Sequence, residues 1–86
     1  MPTVSISDPD AGATVKRSLT ATGSASAAPT VTLVDSNGGL IATAIVAFAN
    51  GNWSAMFLVM ADQTGCKIVA DVAGTQSIKT NITVKD

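Results

Sequence analysis

Chemistry has few footholds in this chain. Histidine and glutamate are both absent, so the carboxylates are six aspartates, Asp8, Asp10, Asp35, Asp62, Asp71 and Asp86, and the one thiol is Cys66. Acid–base or nucleophilic catalysis needs a nucleophile beside a base, or a positioned acid and base pair. These aspartates sit mostly among turn residues, so no catalytic residue and no enzymatic activity are expected. Asp8-Pro9-Asp10 could offer two carboxylates to calcium, with Asp62 or Asp71 adding oxygens if the fold brought one near. Aspartates in turns usually cap their own backbone instead. Asp8 and Asp10 are thus the calcium candidates, with capping the expected outcome and no metal or other cofactor required.

A single cysteine cannot form an intrachain disulfide, and without histidine the usual Cys/His zinc site cannot be assembled. Cys66 opens the alternating run Cys66, Ile68, Ala70, Val72 and reads as a small buried hydrophobe. Asn52-Trp53-Ser54 and Asn81-Ile82-Thr83 match the glycosylation sequon and read as coincidental strand sequence. Trp53 could stack on a sugar, but it follows a turn and starts an alternating run, which makes it a core anchor.

These residues must be positioned by strands. Of 86 residues, 47% are hydrophobic and 13% charged, which fits one compact domain, residues 1–86, and excludes a charged disordered tail. The net charge is -1, and Lys16, Arg17, Lys67, Lys79 and Lys85 are scattered, with only Phe48, Trp53 and Phe57 as aromatics. A nucleic-acid partner needs a basic stripe with stacking residues, and there is none. No segment approaches the about 20 apolar residues of a membrane-spanning helix, so no membrane insertion is expected.

Short β-branched and alanine-rich runs recur between clusters of Gly, Asn, Asp and Pro, the pattern of an all-β sandwich or barrel. About seven antiparallel strands are expected, at 3–7, 14–24, 30–35, 40–49, 53–60, 66–73 and 77–85. Asp62-Gln63-Thr64-Gly65 and Gly74-Thr75 should turn the chain, and Gly23 should mark a bulge or close packing. In the last strand Ile78, Thr80, Ile82 and Val84 should share the buried face. Core positions are Val4, Ile6, Leu19, Val31, Leu33, Trp53, Phe57, Ile68, Ile82 and Val84.

The most informative segment is LIATAIVAFANGNWSAMFLVM, residues 40–60. Asn50-Gly51 between two apolar runs is a strong hairpin signal, because both residues tolerate the positive φ of a tight turn. Side chains alternate across a strand. If Trp53, Ala55, Phe57 and Val59 face inward, Ser54, Met56, Leu58 and Met60 face outward, and Ile41 and Ile45 are their expected neighbours. The interface set is therefore Ile41, Ile45, Met56, Leu58 and Met60. At about 25 cal/mol per Å², an apolar patch of about 400 Å² would be worth about 10 kcal/mol before association costs. A patch of that kind calls for a cover.

The strings Ile41-Ala42-Thr43-Ala44, Asn50-Gly51-Asn52-Trp53-Ser54 and Gly65 resemble the bacterial immunoglobulin-like repeat family, as do Thr22-Gly23, Val31-Thr32-Leu33 and Thr83-Val84. The resemblance implies an immunoglobulin-like antiparallel β-sandwich without a disulfide. It also implies a non-catalytic module of surface adhesins or phage particles. The chain departs from antibody-type domains in lacking a cysteine pair and any tyrosine.

Met1-Pro2 leads straight into the first strand with no basic and apolar leader, so no secretory signal is read. The expectation is a complete, soluble chain on a virion surface, a capsid decoration protein, since phage particles leave by lysis and need no export. Its partner would be a capsid protein or a second copy in a homo-oligomer, with weak contact to host surfaces or glycans. The alternatives are a repeat of an adhesin stalk at the bacterial cell surface, within a longer exported chain, and, with too few aromatics, a carbohydrate-binding module.

Overall fold

In the computed structural model, which describes residues 2–8 and 10–85, nine strands form two sheets. They are β1 (Val4–Asp8), β2 (Thr14–Val15), β3 (Ser18–Ala25), β4 (Thr30–Val34), β5 (Leu40–Thr43), β6 (Ile45–Ala49), β7 (Asn52–Leu58), β8 (Gln63–Val72) and β9 (Thr75–Val84). The first sheet runs β1-β3-β7-β6 and the second β2-β9-β8-β4-β5. The fold is an immunoglobulin-like β-sandwich without a disulfide, as the resemblance implies.

Nine strands arise from seven runs because two runs change sheet partway along. In 14–24 the Val15 carbonyl accepts from Lys85 N at 2.8 Å, while the Arg17 carbonyl accepts from Val59 N at 2.9 Å, so Lys16 and Arg17 carry the chain from one sheet to the other. In 40–49 the step is at Ala44, whose N–H still donates to Val31 O at 2.9 Å before Ile45 joins β7. One pair, β2 with β9, is parallel, and the rest are antiparallel.

The sheets enclose one apolar core. Ile6, Leu19, Val31, Leu33, Trp53, Phe57, Ile68, Ile82 and Val84 lie in it, together with Ala21, Ala25, Ala55, Val59, Cys66, Ala70 and Val72. Val4 differs from expectation: it sits at the end of β1, half-buried and packed against the core from outside. Gly23 lies where β1 and β3 close on the indole. A Cβ there would collide with the Ser5 carbonyl and come within 2.8 Å of Trp53 Cζ2.

Three local readings are corrected. The final run does not keep one face: Asn81 has φ 59° and β9 gains a residue against β8 between Ile82 and Lys79, a bulge. Ile78 then pairs with Val69 and is exposed, whereas Ile82 and Val84 stay inside. The corner expected at 62–65 lies partly within β8, where Gly65 takes φ 66° at another register shift. The last hairpin turns on Ala73 and Gly74, at φ 51° and 89°, one residue earlier than expected.

Candidate functional site

The β6–β7 hairpin is built by its turn. Asn50 and Gly51 hold φ 53° and 81°, Ala49 pairs with Asn52, and the register runs on to Ile45 opposite Met56. That register puts Trp53, Ala55 and Phe57 into the core, with Val59 following them, and turns Met56, Leu58 and Met60 outward. The indole N–H donates to the Ser24 carbonyl at 3.2 Å, so the buried ring has its polar atom satisfied.

The outward face gathers large apolar side chains in one place. Ile45 is 79% exposed, Met56 62%, Leu58 72% and Met60 84%. Ile45 and Met56 are direct cross-strand partners, and β3 flanks them with Thr20 opposite Met56 and Ser18 opposite Leu58. None of the residues of β3, β6 and β7 is charged. Ile41 departs from the expected set. It lies on β5 in the other sheet, half-buried against the core, and meets the others only across an open groove of about 460 Å³. Ser18, Ile41, Ala42, Ile45, Met56 and Leu58 are among the residues lining that groove.

The carboxylates are dispersed and mostly engaged. Asp35 Oδ1 accepts from the N–H groups of Asn37 at 2.9 Å and Gly39 at 2.7 Å, and Asp71 accepts from Gly74 N at 3.0 Å and Gln76 Nε2 at 3.1 Å. Asp62 bonds Arg17 Nε at 3.0 Å. Asp8 and Asp10 are exposed, and among the described residues no group of three or more His, Cys, Asp or Glu converges as metal ligands would. Asp86 lies outside the described residues. Cys66 is fully buried and free; burial pushes its thiol pKa above the ordinary 9.0, and the nearby Asp35 charge pushes the same way. Such a thiol is unreactive. Among the described residues no helix is long and apolar enough to cross a membrane.

Sequence reasoning missed Leu40, 65% exposed at the start of β5, and the free edge of the first sheet along β6. The unbroken, uncharged string Ile45-Val46-Ala47-Phe48-Ala49 was the available signal for that edge.

The chemistry of the surface is that of contact: apolar side chains, hydroxyls and backbone. Comparison with curated proteins returned no match. Comparison with protein families matches residues 7–86 to the bacterial Ig domain, a span that takes in all strands but the start of β1 and includes the whole apolar hairpin. Domains of this kind are generally non-catalytic structural and interaction modules of surface and exported proteins. With the match spanning nearly all of a disulfide-free two-sheet sandwich, the chain belongs to the bacterial Ig domain family.

Proposed function

We propose that this domain is a non-enzymatic docking module that seats on a protein partner through the outer face of its β6–β7 hairpin. One observation carries the reading: Ile45, Met56, Leu58 and Met60 stand exposed together on a sheet whose three neighbouring strands hold no charge. A contiguous exposed apolar patch marks an interaction surface. The setting we favour is a virion surface, with a capsid protein beneath the patch. A lateral patch suits a domain lying against a shell, and many symmetric copies would turn weak outward contacts with host surfaces or glycans into avidity.

A second reading, a repeat in an adhesin stalk, is favoured by a different observation. Val4 pairs with Ala25 beside the Asn50–Gly51 turn, while Val84 pairs with Gln63 at the opposite end of the sandwich. A chain that enters at one pole and leaves at the other suits an in-line array.

The test is the double variant Met56→Lys, Leu58→Lys. Both side chains already face solvent, so the melting temperature should hold within a few degrees while binding to the shell or stalk partner is lost. Unfolding of the variant would show that the face is core. Gene neighbourhood separates the two settings: an adjacent major capsid gene supports the virion, and a long reading frame of similar repeats supports the stalk.

A further inference from the structure

We infer that β6 is a self-pairing edge, at which a second copy of this chain adds its own β6 antiparallel about a two-fold axis through Ala47. The inference rests on the hairpin being a contact surface and names one partner for it. β6 ends the first sheet, and among the described residues Ile45 to Ala49 are hydrogen-bonded only through their ladder to β7. The hairpin sets which groups are free. In a two-residue loop the closing pair, here Ala49 and Asn52, is hydrogen-bonded, so Ala49, Ala47 and Ile45 point their backbone groups at β7. The alternate residues Val46 and Phe48 point theirs at the empty edge, in phase with Ala44, whose N–H leaves β7 for Val31 O.

An empty edge asks for an extended strand, and the side chains say which. Turning Ile45-Val46-Ala47-Phe48-Ala49 about Ala47 sets Val46 against Phe48 and Ile45 against Ala49. Val46 and Phe48 then form two reciprocal hydrogen-bonded pairs, using the free groups of each strand. On the inner face each pair sets a β-branched chain beside an aromatic, a favourable combination. Both are incompletely covered in one copy: Val46 is half-buried and Phe48 36% exposed, extending the row of Ala55 and Trp53. On the outer face large Ile45 meets small Ala49, and the Ile45, Met56 patches of both copies lie on one continuous sheet. The devices that block edge pairing, a lysine, a proline or an inward charge, are all missing from β6. One strand on one strand is a small contact, so the association is weak.

Sedimentation at millimolar protein should show a concentration-dependent dimer. Ala47 meets Ala47 at a non-hydrogen-bonded position, where side chains come closest, so Ala47→Lys and Ala47→Asp should each be monomeric and their equimolar mixture should dimerise. Ala47→Cys should give a reducible covalent dimer under mild oxidation, because buried Cys66 does not compete; this decides the matter if the lysine variant fails to fold. A wild type that stays monomeric overturns the pairing and leaves the docking face standing. So do single-charge variants that still dimerise, or a mixture that stays monomeric while Ala47→Cys does not cross-link. The Met56→Lys, Leu58→Lys protein keeps β6 intact and should still dimerise, which separates failure of the docking face from failure of the edge.

Discussion

At the scale of single residues, Trp53 and Gly23 form one unit. The indole is 2% exposed, bonds the Ser24 carbonyl, and lies against a glycine with no room for a Cβ. Trp53→Ala is expected to cost about 3–5 kcal/mol, the range for emptying a large aromatic site, read as a shift of the urea midpoint. In the native wild type the indole should resist iodide quenching. Strong quenching would mean an exposed ring and would revive the sugar-stacking role. That Trp53 anchors rather than binds was legible from its place after a turn at the head of an alternating run. The need for Gly23 was only half legible, since a glycine in a strand signals close approach without saying to what.

At the scale of elements, the hairpins carry different degrees of fit. β6–β7 turns on Asn50-Gly51, the pair best suited to successive positive φ values, whereas β8–β9 turns on Ala73-Gly74 and forces an alanine to φ 51°. Left-handed backbone is costly for alanine and tolerated by asparagine. Ala73→Asn is therefore expected to stabilise the domain by about 0.5–1 kcal/mol, measured by thermal melting; no gain would mean that the turn relaxes the strain. The hairpin at Asn50 was readable because turn chemistry and apolar runs agreed. The bulge at Asn81 was not, since a residue inserted in a ladder leaves local composition unchanged and only reverses the phase beyond it.

At the scale of the whole molecule, the aspartates are engaged at separate places. Asp35 and Asp71 tie down turns, and Asp62 meets Arg17 between the start of β3 and the connection into β8. The Arg17–Asp62 pair is solvent-exposed and worth at most about 1 kcal/mol. With no group of three carboxylates or thiols converging among the described residues, melts in calcium and in chelator should coincide. A rise of several degrees with calcium would reveal a site, because a ligand that binds only the folded state must stabilise it.

The all-β class, the Asn50-Gly51 hairpin, most of the core and the outward methionines were legible in the residues. Those follow from local rules: a period of two, turn residues tolerant of positive φ, and the absence of cysteine pairs and of histidine. Where a run leaves one sheet for the other is set by long-range packing. Val15 and Arg17, two residues apart, bond opposite sheets, and Ala44 does the same between β5 and β6. That choice depends on which carbonyl faces which partner across the core, a long-range condition that no local pattern encodes. It moved Ile41 off the shared apolar face and left β6 as the open edge of its sheet, while the separate bulge at Asn81 turned Ile78 outward.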